Sequence, residues 1–188
     1  MKPLLILLGV LLIGGLLFGS KFVGVRNDLA TKRETINANW SQIDTDLQRR
    51  ADLIPNLVET VKGYAKEETT VVQAVSNARA GLLNAHSPQE KIDANQKLDG
   101  AIGRLLVIVE NYPNLKANQN FQSLQFELAG TENRILRSRQ RYNEAVQEYN
   151  TAIQIFPNNI VAGLSGFSRD DAYFKTDANS RNAPKVSF

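Results

Sequence analysis

Side chains that commonly catalyse reactions or bind metals are few in this sequence, and they do not cluster. Cysteine is absent, which excludes a thiolate metal site, a cysteine nucleophile and a disulfide. The single histidine, His86, stands in the stretch "NAHSPQE" without a second ligand at metal spacing, which favours an exposed loop residue. The acidic pairs Glu67–Glu68 and Asp170–Asp171 are adjacent, so on a helix their carboxylates point in different directions instead of converging as an acid and a base would.

Larger catalytic and ligand-binding motifs are missing as well. No glycine-rich phosphate loop follows a strand, and no G-x-S-x-G nucleophile motif occurs. The net charge of +3 is too small for a nucleic-acid binder unless the charges cluster. The sequence therefore predicts a protein that is not an enzyme, with no cofactor, no metal and no nucleic-acid partner.

One group of arginines is a candidate binding surface. Arg134, Arg137 and Arg141 recur at i, i+3 and i+7 on one helix face, a spacing suited to anionic lipid headgroups or an acidic partner. Glu144 and Glu148 follow within reach of Arg141, which favours instead a solvated face whose charges pair internally.

A second pair, Arg49 and Arg50, precedes a proline inside a long apolar periodicity. These arginines either position Asp52, bind a partner, or are solvated at a helix end. A straight helix through Pro55 costs about 3 kcal/mol, because proline lacks the N–H and clashes with the carbonyl of Ala51. In one arrangement Asp52 caps a new helix after a turn at residues 51–54; in the other the helix kinks and continues. Asp52 and Pro55 mark this predicted junction, and both arrangements stay open.

The first 25 residues predict a membrane anchor. Residues 3–20 carry no charge, and the apolar run extends past Lys21 to Val25, long enough to cross a bilayer core of about 30 Å. A cleaved signal peptide would need small residues where Leu17 or Phe18 stands, so an uncleaved anchor is favoured. The residues that define this anchor are Pro3, Leu4, Gly15, Gly19 and Ser20.

Two features of the anchor bear on its packing and orientation. Gly15 and Gly19 form a G-x-x-x-G pair, which lets two membrane helices approach closely, although glycine is also generally common in such helices. One lysine precedes the apolar run, whereas four basic residues follow it closely: Lys21, Arg26, Lys32 and Arg33. This bias favours a cytoplasmic over a periplasmic location for the rest of a single-pass protein of the inner membrane.

Beyond the anchor, apolar periodicity predicts helices almost throughout. Large residues recur three, four or seven apart: Leu29, Ile36, Trp40, Ile43, Leu47, Ile54, Leu57, Val61 and Tyr64. Ser87, Pro88 and Glu90 form a capping-box pattern that begins another helix, which Pro113 ends. The last long helix keeps this spacing from Phe121 to Phe156 and ends at Pro157. The prediction is an all-α protein: an anchor at 1–25, an up-and-down antiparallel four-helix bundle with a long last helix at 26–157, and an apolar tail at 158–188.

The tail is too apolar for a solvated, disordered end. Its candidate assembly residues are Phe167, Tyr173, Phe174 and Phe188. We expect them either to fold back on the parent bundle or to dock onto a neighbouring subunit.

Several stretches of the sequence resemble the LemA family. They are "WSQIDTDLQRRADLIPNLVETVKGYAKEE" at 40–68, "NAR" at 77–79, "RYNEAVQEYNTAIQIFPNNIVA" at 141–162, and a tail with "GFSRDDAYF" and "VSF". The opening "RNDLATKRETINANW" is also similar, except that Arg26 stands where an aromatic residue is common. The resemblance implies a single-pass membrane protein with a helical-bundle domain, and it brings no established catalytic residues.

These observations predict a non-enzymatic scaffold that self-assembles at the bacterial inner membrane as a homo-oligomer. The anchor glycines, the long last helix and the apolar tail would together build the assembly. The alternative is a regulatory adaptor that presents its arginine face to a membrane-protein partner, for example a membrane protease.

Overall fold

The structure, a computed structural model, describes the backbone of residues 2–174 and the side chains of residues 7–174. This part of the chain is helical and contains no strand, which confirms the predicted all-α class. Its six helices are α1 (Lys2–Tyr64), α2 (Thr69–Leu83), α3 (Pro88–Val109), α4 (Pro113–Lys116), α5 (Gln119–Ala152) and α6 (Asn158–Ser165).

Helix α1 carries both the apolar N-terminal segment and the first long amphipathic stretch. By length and composition alone it is apolar enough to cross a membrane. The predicted apolar stripe beyond the anchor is buried at Leu29, Ile43, Ile54 and Val61, as burial of one helix face requires. At the end of the stripe Tyr64 is 45% exposed, and its hydroxyl accepts a hydrogen bond of 2.9 Å from the Asn118 side chain.

Of the two arrangements considered at Pro55, the turn at residues 51–54 is not formed, and α1 continues through the proline. The chain instead leaves the helix at Ala65 and starts α2 at Thr69. The apolar stripe stays in phase across the proline, since Leu47, Ile54 and Val61 are all buried. Continuing the helix therefore keeps one buried face, whereas a turn would rotate the following residues out of phase.

The start of α3 is the capping box that the sequence predicts. The Ser87 hydroxyl accepts a hydrogen bond from the Glu90 backbone N–H at 3.2 Å, and the Glu90 carboxylate accepts one from the Ser87 N–H at 3.2 Å. The His86 N–H donates to the same carboxylate at 2.9 Å. These bonds, the one from His86 first, lower the pKa of Glu90.

The chain is divided into two compact units, and each has its own buried apolar residues. The second unit comprises Asn39–Arg141 together with Ala172 and the described residues after it. In it α2 packs against α3, and the buried apolar residues include Leu57, Val75, Leu98, Leu105 and Ile135. The turn at residues 84–87 between α2 and α3 is short, as expected for neighbouring antiparallel helices.

The first unit comprises α1 up to Ala38 together with Tyr142–Asp171. Its small core contains Leu29 from α1, Ala152 from α5 and Ala162 from α6. Helix α5 ends at Ala152, before the predicted end at Phe156, and Phe156 is 78% exposed. Residues 153–157 form turns and a bend, and Pro157, which lacks a backbone donor, lies within this segment.

Candidate functional site

An arginine of α2 supplies the hydrogen-bond donor that the proline in α1 lacks. Because Pro55 has no N–H, the carbonyl of Ala51 lacks its normal helical donor. The Arg79 Nε atom donates a hydrogen bond of 2.7 Å to that carbonyl oxygen. Asp52 lies exposed on the other side and accepts a hydrogen bond of 2.9 Å from the Gln48 side chain, so it does not act as a helix cap. Arg79 belongs to the short "NAR" motif, whose role the sequence did not reveal.

Arg50 is buried in a charged cluster, in contrast to the solvated helix-end residue considered from the sequence. Its guanidinium lies 2.5 Å from an Asp99 carboxylate oxygen and 2.9 Å from one of Glu132. It also donates a hydrogen bond of 2.9 Å to the Asn95 side chain. Its side chain is 7% exposed, so the charge depends on these partners for compensation. The neighbouring Arg49 is exposed. We call Arg50, Asn95, Asp99 and Glu132 the Arg50 cluster.

A second arginine borders the Arg50 cluster. Burial lowers the pKa of Arg139, while the charges of Glu132 and Asp99 act in the opposite direction. Its side chain stays protonated at neutral pH because the ordinary pKa of arginine is so high. The Arg139 guanidinium lies 5.0 Å from the centre of the Phe174 ring, a distance typical of a cation–π contact.

Phe174 also stacks on Trp40, with 6.0 Å between ring centres and an interplanar angle of 24°. This part of the tail therefore contacts its own chain. Tyr173 is half-buried, and Phe188 lies outside the described residues.

The rest of the described tail is held by α5. The Tyr149 hydroxyl donates to the Ser168 carbonyl at 2.9 Å, and burial raises the pKa of Tyr149, so this donor is protonated at neutral pH. The Asn150 side chain donates to the Asp170 carbonyl at 2.6 Å and accepts from the Asp170 N–H at 2.9 Å. Phe167 packs against the small core of the first unit.

The three arginines of the predicted binding face have different environments. Arg134 lies 3.8 Å from the buried carboxylate of Asp46 and donates to the Thr131 hydroxyl at 2.9 Å. Asp46 also accepts a hydrogen bond of 3.1 Å from the Ser138 hydroxyl. Arg137 and Arg141 are exposed. Of the three arginines of the predicted face, these two are therefore exposed, whereas Arg134 is half-buried.

The residues of the predicted anchor lie in the first part of α1. Gly15 is exposed, and no neighbouring side chain lies within 4 Å of where a Cβ would stand on Gly15 or Gly19. The Ser20 hydroxyl donates to the Leu17 carbonyl at 2.9 Å. Pro3 and Leu4 are helical, but their side chains precede the described ones.

Within the described residues, no group of three or more potential metal-binding side chains comes together. His86 is exposed in the turn before α3. The charged side chains instead join helices: the Arg50 cluster connects α1, α3 and α5, and Arg79 connects α2 to α1. These contacts hold the joined helices in fixed positions relative to one another.

Sequence comparisons place these features among known proteins. Magnetosome protein MamQ 2 of Paramagnetospirillum magneticum is 27% identical over 175 residues, covering 79% of this chain and 64% of that protein. Magnetosome protein MamQ of Magnetospirillum gryphiswaldense is 24% identical, covering 81% and 65%. Protein LemA of Metamycoplasma hominis is 26% identical over 162 residues, covering 86% and 73%. The chain thus spans slightly less than two thirds of the length of the two magnetosome proteins.

The family assignment rests on a match to the family itself. Residues 39–188, well over half of the sequence, match the LemA family. The match includes the proline in α1, Arg79, the Arg50 cluster and the residues of α5 that hold the tail. The chain therefore belongs to the LemA family.

Proposed function

We propose that this protein is a non-enzymatic scaffold that is anchored in the bacterial inner membrane and self-assembles there. The proposal is carried by the N-terminal part of α1. Between Leu7 and Phe18 its large apolar side chains are more than half exposed, a surface that is unfavourable in water but favourable in lipid. The exposed helix, together with the similarity to proteins of the LemA family, fits association with a membrane.

Self-association is assigned to the anchor glycines. In lipid, apolar side chains gain little by leaving the hydrocarbon for each other, so close packing of backbones drives helix association. Gly15 and Gly19 present an open face on which a second helix can lie. Phe167 and Phe174 contact their own chain, so the proposal does not require them at an interface between subunits.

The mass of the full chain in detergent micelles tests this proposal. We expect an oligomer for the natural sequence and a smaller species when Gly15→Leu and Gly19→Leu are combined, because leucine keeps the backbones apart. The control is Gly14→Leu, which adds one leucine side chain about 100° away from Gly15 around the helix. A monomer for the natural sequence, or equal masses for all variants, would contradict self-assembly through these glycines.

We further propose that the helical domain faces the cytoplasm, since most basic residues follow the anchor. Because cysteine is absent, Ser168→Cys would create a single thiol at an exposed position. We expect a membrane-impermeant maleimide to label it only after lysis, while a periplasmic control protein is labelled beforehand. Labelling in intact cells with a permeabilised outer membrane would place the domain in the periplasm.

The exposed Arg137 and Arg141 favour a second candidate function, a regulatory adaptor of a membrane enzyme such as a membrane protease. The adaptor predicts a monomer in detergent and crosslinks to a different protein from positions beside these arginines. Those crosslinks should disappear when both are changed to glutamate. Crosslinks only between copies of the chain would favour the scaffold instead.

A further inference from the structure

We propose that α6 and the turn before it bind the surface of the bilayer that holds the anchor. This inference rests on the proposed anchoring of α1. Its observation is an exposed apolar face at the end of the first unit, which we call the α6 face. The α6 face consists of Ile155, Phe156, Ile160 and Leu164, whose exposed fractions are 51%, 78%, 50% and 73%.

The buried side of α6 attaches this helix to α1, just beyond the predicted anchor. Val161 and Ala162 are buried, and Ala162 packs in one core with Leu29 of α1. Val25, the last residue of the apolar run, packs against the same core. Helix α6 is therefore fixed to the part of α1 that directly follows the predicted membrane-spanning run.

Helix geometry then sets the level of α6 relative to the bilayer. With a rise of about 1.5 Å per residue, Leu29 lies about 6 Å beyond Val25 along α1. The headgroup layer adds about 5 to 7 Å on each side of the hydrocarbon core. A helix packed on Val25 and Leu29 thus lies at the level of the headgroups, where amphipathic helices bury an apolar face about 5 to 10 Å deep.

Lipid is the occupant that this position favours. Because Ala162 of α6 shares a core with Leu29 and Val25 of α1, the α6 face is held close to the end of the predicted membrane-spanning run. Lys21 and Arg26, both exposed, carry positive charge at the same end of the anchor, where anionic headgroups would lie. A second copy of the chain is the competing occupant, and the test below distinguishes the two.

The test attaches one environment-sensitive NBD fluorophore to a single introduced cysteine in the full chain. The labelled protein is reconstituted in phosphatidylcholine vesicles in which about one lipid in five carries a nitroxide. The probe positions are Leu164→Cys on the α6 face and Leu16→Cys in the anchor. The matched control is Gln147→Cys, an exposed position on α5. The neighbouring Glu148 pairs with Lys32. Lys32 lies about 10 Å beyond Val25 along α1, so the control position is outside the headgroup layer.

We expect the probe at position 164 to emit at shorter wavelength and to be quenched several-fold more strongly than the probe at position 147. Equal, weak quenching at 164 and 147, with strong quenching at 16, would overturn the inference and leave the anchor intact. A short-wavelength emission at 164 without quenching would show a protein partner on the α6 face, which also overturns it. Absence of quenching at position 16 would contradict the anchoring itself, and the inference would fall with it.

Discussion

The Arg79 side chain donates a 2.7 Å hydrogen bond to the carbonyl of Ala51, the group that Pro55 leaves without its helical donor. A residue of α2 thus completes the hydrogen bonding of α1 at the point where the proline interrupts it. The pairing explains how a 63-residue helix can contain a proline and still keep one buried face. It also joins two helices through a bond that needs both the proline and the arginine.

Arg79→Ala should therefore destabilise the protein by about 1 to 3 kcal/mol, because the carbonyl of the buried Ala51 loses its donor. In a Pro55→Ala background the same change should cost clearly less, since the alanine N–H can donate to Ala51. Guanidinium unfolding of the full chain in micelles, followed by the fluorescence of Trp40, the single tryptophan, measures all four variants. An equal cost of Arg79→Ala in both backgrounds would show that the pairing is not energetically coupled.

The Arg50 cluster predicts that Arg50 contributes far more to the free energy of unfolding than its neighbour Arg49. Arg50→Ala leaves Asp99 and Glu132, whose side chains are 37% and 31% exposed, without the guanidinium that they share, and should cost about 2 to 3 kcal/mol. Arg49→Ala, at the exposed neighbouring position, is the control and should change the free energy of unfolding by less than about 0.5 kcal/mol. The same unfolding measurement compares them. Similar effects of the two changes would contradict a structural role for the cluster.

The tail provides a local test of its attachment to α5. Asn150→Ala removes two hydrogen bonds to the backbone of Asp170, so the adjoining residues should detach more often. We expect trypsin to cleave after the exposed Arg169 several-fold faster, measured by mass spectrometry of timed digests of the full chain. Gln147→Ala, at an exposed position about one turn earlier on α5, should leave the rate unchanged. A rate that Asn150→Ala does not alter would indicate that other contacts alone hold the tail.

Apolar spacing predicted the helices and most of their buried faces, because a helix buries residues three and four apart. The same spacing contained a signal for the Arg50 cluster. Arg50 lies between Leu47 and Ile54 at a position of the buried stripe, and Asn95 lies likewise between Ile92 and Leu98. A polar residue at such a position indicates a buried, partnered group. Its partners could not be inferred, since Asp99 and Glu132 are brought to Arg50 by tertiary packing.

The path of the chain at Pro55 illustrates a second limit. Local propensity includes the cost of proline in a helix, and on that basis both a turn and a kinked helix stayed open. The outcome depends on Arg79, a residue of another helix that supplies the missing donor. Tertiary contacts of this kind override local preference and are not visible in the periodicity of one helix.

The capping box of α3 gives the final prediction, a pH dependence. The pKa of Glu90 is lowered in the folded protein by the N–H groups of His86 and Ser87, so the folded state binds its proton less readily than the unfolded state. The stabilisation is complete above the unfolded pKa, about 4.3, and is lost as the pH falls through the lower folded pKa.

Glu90→Gln keeps a side-chain acceptor for the capping box but removes the charge, so it is the matched variant. We expect the natural protein to be more stable than Glu90→Gln at pH 7, with the difference shrinking below about pH 4 as the carboxylate is protonated. Thermal unfolding of both chains across this range measures the difference, and an NMR titration of the Glu90 carboxyl measures its pKa directly. A pKa at or above the ordinary value for glutamate would contradict charge-assisted capping, because protonation would then cost the fold nothing at this site.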